Sequence, residues 1–296
     1  MGKRTCFLLI VCCIFAVQMP GLCADNPSLE QLAARHLESI GGADALSQIK
    51  SVAFTGTSDA EFIQGWFGTS QGTSILVSEG SKMALIMEFS AVDYRREYFA
   101  CDGKAVTVGD VRFGVRAPLA DFLYRYDKII KNGLLGGVYS RAWPLFNVGR
   151  NRAKMKVRKT RVEDAELYEL EYRPKDYHND MKICLYFDPE TWRHVRTDYY
   201  LSNYQGYDKR ATLTEKFENF RKIGNLTLPH SYTLYLERIA SANNYLSWNY
   251  SAGRPISDSD YSTWSYRNFI GKWKIEVSEW MFNRPDIDPK IFKVDD

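Results

Sequence analysis

From residue 51 onward, apolar and polar side chains alternate with period two in run after run, and this repetition limits the chain to a fold built on antiparallel strands. Met83, Leu85, Met87 and Phe89 oppose Lys82, Ala84, Ile86 and Glu88, while Met181, Ile183, Leu185 and Phe187 alternate with Lys182, Cys184 and Tyr186. Val111, Phe113 and Val115 oppose Arg112, Gly114 and Arg116. Tyr168, Leu170 and Tyr172 alternate with acids, and further strands are expected at 212–220, around 232–236 and around 273–277. Such strands have one apolar face that must be covered and one that tolerates water. The pairs Asp102-Gly103 and Gly224-Asn225, and the run Asp188-Pro189-Glu190, supply turns between them. Aromatic residues make up 14 % of the chain, which favours strands and large apolar contact surfaces.

Two segments break the alternation. Ser28 and Gln31 have capping-box spacing, and Leu29, Leu32, Ala33, His36, Leu37 and Ile40 recur at three and four residues before Gly41 and Gly42, so a helix is expected there, with a shorter one at 43–50. His36 lies on the apolar stripe and reads as a packed helix residue. Pro118 opens a second stripe of Leu119, Phe122, Leu123, Tyr126, Ile129, Ile130 and Leu134, which predicts an amphipathic helix of about four turns ending in Gly133, Gly136 and Gly137. A one-sided sheet and two one-sided helices are satisfied together by a strongly curved antiparallel sheet whose concave face the helices cover, a mainly β fold with α insertions. Residues 251–268 read as a surface loop or hairpin insertion.

The first residues read as a processing signal. Lys3 and Arg4 precede the uncharged run Phe7 to Val17, and Pro20 and Gly21 precede Cys23 and Ala24, the pattern of a secretory signal peptide over 1–24. The run is shorter than the ~20 residues of a spanning helix, which argues against a retained anchor. Leu22 before Cys23 argues against a lipoprotein signal. A single unit over 25–296 is then expected. Removing residues 1–24 takes away two cations and no acid, lowering the formal charge from +3 to +1, too little to suggest a nucleic-acid partner. Cys101 and Cys184 are the cysteines left, in an oxidising compartment, where they either form one disulfide or stay as two buried thiols.

No enzyme signature emerges. Gly68 to Gly72 lacks the spacing of a nucleophile elbow, no zinc-binding His-Glu-x-x-His occurs, and the glycines form no phosphate loop. His36, His178, His194 and His230 are isolated in sequence and read as scatter, and no cofactor or metal is expected. Glu169 and Glu171 share one strand face, more simply an exposed face than an acid–base pair. A cationic stripe, Arg150, Arg152, Lys154, Lys156 and Arg158, continued by Lys159 and Arg161, reads either as an edge strand guarded by lysine or as a docking strip for anionic lipid headgroups or an acidic partner.

The stretch Ala34 to Gly56 (ARHLESIGGADALSQIKSVAFTG), the Asp102-Gly103-Lys104 turn, the run Leu185 to Thr191 (LYFDPET) and the ending Asp286 to Phe292 (DIDPKIF) resemble outer-membrane lipoprotein-sorting proteins of the LolA/LolB-like type. The resemblance covers most of the chain after the signal. It implies an incomplete antiparallel β-barrel lined by apolar side chains, with helices as a lid, in a periplasmic carrier that shields acyl chains from water.

On this reading the protein is a non-enzymatic, exported binder of lipid or of acylated lipoprotein. Met83, Leu85, Met87, Phe89, Met181, Ile183, Leu185 and Phe187 would line the cavity, with Phe122, Tyr126 and Ile130 on the lid. An envelope or outer-membrane protein would be its partner, and contact with a membrane surface would be transient. The alternative is an exported interaction domain of an envelope complex, in which the same residues form a filled core.

Overall fold

A computed structural model describes residues 26–62, 68–112, 114–150, 153–174, 181–202, 210–240 and 266–294. The chain starts with helices α1 (Leu29–Ser39) and α2 (Ala43–Ser47). Strands β1 (Ser51–Glu61), β2 (Thr69–Glu79), β3 (Lys82–Phe89), β4 (Arg96–Cys101) and β5 (Val106–Val108) follow as an antiparallel meander. The short pair β6 (Asp110–Arg112) and β7 (Val115–Arg116) leads into α3 (Pro118–Arg125), α4 (Lys128–Lys131) and two stretches of 3₁₀ helix, Gly137–Tyr139 and Pro144–Arg150. A second meander comprises β8 (Lys154–Val162), β9 (Ala165–Arg173), β10 (Met181–Phe187), β11 (His194–Leu201), β12 (Arg210–Ile223), β13 (Leu226–Ala240) and β14 (Tyr266–Phe282).

The two meanders form one sheet because β14 returns to pair with β1, giving twelve strands in the order β5-β4-β3-β2-β1-β14-β13-β12-β11-β10-β9-β8. The outermost strands, β5 and β8, are not paired to each other, so the sheet is open. Adjacent strands keep the apolar parity in step: Phe99 lies opposite Leu85, Leu85 opposite Leu76, and Leu76 opposite Phe54. In the other half Tyr172 lies opposite Ile183, Ile183 opposite Tyr199, and Tyr199 opposite Leu213. Because side chains alternate across a strand, this register gathers the large apolar residues on one face. That face and the inserted helical segment share a single hydrophobic cluster running from Leu32 of α1 through α3 and α4 to Trp273 and Ile275 of β14.

The opposite face has its own smaller cover. Ala53, Val77, Ala84 and Ala100 are neighbours in register on β1 to β4, and their small side chains leave a shallow bed for the C-terminal strap, whose Phe292 and Val294 are buried on them. Asp288 caps the strap's 3₁₀ turn by accepting from Lys290 N–H, Tyr98 O–H donates to Ile291 O at 2.8 Å, and Val294 N–H donates to Thr107 Oγ1 at 2.9 Å.

Several expectations hold in detail. Ser28 and Gln31 form the capping box, Asp102 accepts from the N–H groups of Lys104 and Ala105 while Gly103 takes φ +92°, and Asp188 holds its turn through Thr191. Others are corrected. The helix expected from Pro118 is interrupted at Tyr126 (φ −112°, ψ 44°), after which the N–H of Ile129 and of Ile130 bond three residues back, so α3 and α4 are separate. The strand expected at 111–115 is a two-stranded hairpin instead. Tyr266 to Asn268, read as part of an insertion, begin β14, and 251–265 lie outside the described residues, as do the signal segment, His178 and Arg152.

The Cys101–Cys184 disulfide does not form. Both are free, buried thiols; Cys101 on β4 belongs to the cluster shared with the helices and Cys184 on β10 to a cluster on the other face, with seven strands between them. A bridge requires Cα atoms within about 7 Å. Protein lacking residues 1–24 should therefore titrate two thiols under denaturing, non-reducing conditions, and a value near zero would contradict this arrangement. Replacing Phe292 by Ala removes the side chain that fills the alanine bed, and chemical denaturation should register a loss of about 3–5 kcal/mol; a loss below about 1 kcal/mol would show that the strap is not a structural cover.

Candidate functional site

All the residues expected to line a cavity lie in the cluster shared by the sheet and the helices. Leu85, Met87, Ile183, Leu185, Phe187 and Phe122 are fully enclosed, Met83, Phe89, Met181 and Ile130 nearly so, and Tyr126 is half-buried against them. The same cluster holds Leu119, Phe122, Leu123, Ile129, Ile130 and Leu134 of the inserted segment, followed by Leu135, Tyr139 and Trp143; α3 lies against β4, β5 and β14, while His36 of α1 packs on Phe187 of β10. The sheet's apolar face is thus in direct contact with a layer of helix.

That layer is fastened by polar contacts that the alternation pattern conceals. Glu97 sits at an apolar-parity position of β4, two residues before Phe99, and is fully buried. Its Oε2 accepts from Ala120 N–H at 3.2 Å, in the first turn of α3, and Leu119 contributes a second backbone bond. Its Oε1 accepts from Tyr94 O–H at 2.7 Å, and Tyr94 in turn accepts from Trp273 Nε1–H at 2.5 Å. Glu215, between Leu213 and Phe217 on β12, does the same at the segment's other end: it accepts from Gly136 N–H at 2.7 Å, Tyr199 O–H at 2.7 Å and Tyr232 O–H. Further along, Arg141 N–H donates to Ser78 Oγ at 2.9 Å and Tyr139 O–H to Pro229 O at 3.1 Å. Both glutamates were missed in the sequence, where the available signal was an acid at a core-facing position of a strand.

The glycines at the end of the segment serve close approach as well as backbone freedom. Gly137 takes φ +49°, and a Cβ on it would meet His194 Nδ1 at 2.8 Å; at Gly133 (φ +67°) a Cβ would meet Ala142 O at 2.3 Å.

Two histidines that are distant in sequence meet here, contrary to the reading of scatter. His36 of α1, Trp143 and His194 of β11 form a ring cluster with centroids 5.0 Å apart for each histidine–tryptophan pair and 6.5 Å apart for the two histidines. His36 Nδ1 pairs with Trp192 O and His194 Nε2 with Thr197 Oγ1, leaving the second ring nitrogen of each enclosed without a hydrogen bond. Burial lowers His36 to about 4 and His194 well below its ordinary value, so both are neutral packing residues at neutral pH. His230 Nδ1 lies 3.0 Å from Leu228 O. Among the described residues no group of three or more His, Cys, Asp or Glu could hold a metal.

The cationic stripe is in part a paired face of an edge strand. Lys154, Lys156 and Arg158 are exposed on one side of β8, the last strand of the sheet, but Arg158 donates to both oxygens of the buried Glu169 at 2.7 and 2.9 Å. Lys159 approaches Glu166, Lys182 approaches Glu169, and Arg173 pairs with Glu171, so the acids expected on an open strand face are largely engaged. The side chain of Arg150 lies outside the described residues.

No family model matches the sequence, and no curated protein matches it. Solved structures do. A LolA superfamily protein from Nitrosomonas europaea is 15 % identical, with TM-score 0.46, covering 90 % of this chain and 99 % of that one. An outer membrane lipoprotein-sorting protein domain from Vibrio parahaemolyticus is 11 % identical, with TM-score 0.45, covering 88 % and 95 %. A DUF1329 family protein from Desulfovibrio piger is 12 % identical, with TM-score 0.39, covering 89 % and 95 %. The solved structures similar to this chain therefore include the group that its sequence resembles. Among the described residues no helix is long and apolar enough to cross a membrane.

The buried acids and histidines set opposing pH dependences. Burial lifts Glu97 from 4.5 to about 8 and Glu215 to about 7, with the hydrogen bonds opposing the rise. Above pH 4.5 the unfolded chain releases these protons while the folded protein keeps them, so stability falls as pH rises through this window. The depressed histidines act in the other direction: stability falls as pH drops below the ordinary value of 6.5, where only the unfolded chain takes up protons. Thermal stability should therefore peak between about pH 5 and 6 and decline toward about pH 8. Replacing both glutamates by Gln should move the peak up to about pH 7; an unchanged profile in that variant, followed by calorimetry, would show that these carboxyls do not titrate as described.

Proposed function

We propose that the protein is an exported, periplasmic binder that shelters lipid or lipoprotein acyl chains against the apolar face of its sheet, with the segment 118–139 as a lid. The observation that carries this reading is the pairing of a continuous apolar face, spread across the sheet, with a cover that arrives as one inserted segment between β7 and β8. In this reading the sheet curls around the cover, α3 and α4 withdraw from its concave side, and an acyl chain takes their place. Lining roles fall to Met83, Leu85, Met87 and Phe89 on β3 and to Met181, Ile183, Leu185 and Phe187 on β10. Phe122, Tyr126 and Ile130 are the lid's contribution.

Magnitudes make the exchange feasible. Withdrawing the seven enclosed side chains Leu119, Phe122, Leu123, Ile129, Ile130, Leu134 and Leu135 from the sheet costs roughly 10–21 kcal/mol, at about 1.5–3 kcal/mol each. A sixteen-carbon acyl chain, with about fourteen methylenes at about 0.8 kcal/mol each, returns about 11 kcal/mol. Opening to water alone is therefore strongly unfavourable, while an acyl chain offsets about half or more of the cost. The ligand itself then shifts the lid equilibrium. No reacting group is needed for this, and the protein is read as a non-enzyme.

An engineered disulfide between α3 and β4, which lie in contact, tests the reading. Oxidised protein should lose uptake of a fluorescent acyl probe and reduction should restore it. Ile130→Glu should raise apparent probe affinity by at least about tenfold, since the buried charge disfavours the closed lid that competes with the probe. Absence of uptake in the reduced, folded wild type, together with a clean apo mass after gentle purification, would instead support a filled interaction domain.

A further inference from the structure

Two buried carboxyl groups set among the large apolar side chains beneath the lid require an explanation beyond packing. A Leu at either place would cost nothing in desolvation, whereas a carboxyl there must recover that cost from hydrogen bonds. Glu97 and Glu215 each recover it in the same way. Hydroxyls outside the lid, Tyr94 of the β3–β4 loop for one and Tyr199 with Tyr232 of the sheet for the other, hold the carboxyl in place, and backbone N–H groups of the lid fill remaining acceptor positions. The partners outside the lid stay with the carboxyl if the lid leaves. The lid-side donors, the N–H groups of Leu119, Ala120 and Gly136, leave with it.

An open lid therefore creates two oriented, unfilled acceptors on the apolar face. Neither can be left unfilled in a dry site without a cost of about 1–3 kcal/mol or more. We propose that Glu97 and Glu215 are separate polar subsites, each able to take an N–H or O–H donor of a cargo headgroup in place of the lid's backbone N–H, so that the protein selects acyl chains carried on an amide, amine or alcohol over free fatty acids. The inference rests on the acyl-binding reading above and deepens it by naming the headgroup class. The closed lid, on this account, imitates the ligand: its amides at Leu119, Ala120 and Gly136 occupy the places that cargo donors fill. Above about pH 8, where both glutamates are ionised, a free fatty acid brings a carboxylate without a donor and adds repulsion.

The test uses a matched pair of fluorescent probes with the same acyl chain, one ending in a carboxylate and the other in a primary amide, titrated into the wild type at about pH 9, where both glutamates are ionised. The amide should bind at least about tenfold more tightly. In Glu97→Gln, Glu215→Gln and the double variant, each checked for folding by circular dichroism, the ratio of the two affinities should shrink, to within about threefold in the double variant. A change in lid closure alone moves both affinities together and leaves their ratio unchanged, so the ratio separates a headgroup contact from a structural role. Binding of both probes with a ratio that the Gln variants do not alter would overturn this inference while leaving the acyl-binding reading intact. Binding of neither probe would overturn both.

Discussion

The whole structure answers to the apolar face of one open, twelve-stranded sheet. Antiparallel pairing keeps Phe54, Leu76, Leu85 and Phe99 in step on one half and Tyr172, Ile183, Tyr199 and Leu213 on the other, and the return of β14 to β1 joins the halves. No globular chain leaves such a surface in water. The inserted segment with α3 and α4 is the main answer, α1 with His36 extends it, and on the far side the C-terminal strap closes over the alanine bed.

The cover is held by two kinds of force with different consequences. Apolar burial supplies most of the free energy but little direction, so it favours any apolar layer of suitable shape. The carboxyls of Glu97 and Glu215 supply direction, because they fix lid amides at two defined points on the sheet. Replacing them with apolar residues could give an equally stable closed state. What would be lost is the pair of acceptors that an incoming headgroup can use, and with it the reason for keeping charge-bearing groups in a dry interface.

Much of the fold was legible because period two is a direct imprint of a half-buried sheet. Met83 to Phe89 and Met181 to Phe187 could be placed on one face from spacing alone, and the capping box at Ser28 marked the first helix. Strand order was not legible, because pairing of β1 with β14 joins segments more than two hundred residues apart and leaves no local trace. The break at Tyr126 was hidden for a similar reason: the stripe continues at helical spacing through a residue whose backbone leaves the helix. Parity carried more than was read from it. Cys101 shares the side of Phe99 while Cys184 alternates with Ile183 and Leu185, which already places the two thiols on different faces, and Glu97 and Glu215 stand at core positions of their strands. The meeting of His36 with His194 through Trp143 had no sequence signal at all.

The central claim is that the lid and an acyl chain compete for the same face. Hydrogen exchange, read peptide by peptide with and without a saturating N-acyl amide, reports this directly, since the amides of Ala120 and Gly136 are tied to Glu97 and Glu215 only while the lid is closed. The account predicts faster exchange across 118–139 on binding, with β3 and β10 as protected as before. Protection of 118–139 that stays the same or increases when the ligand is bound would contradict it.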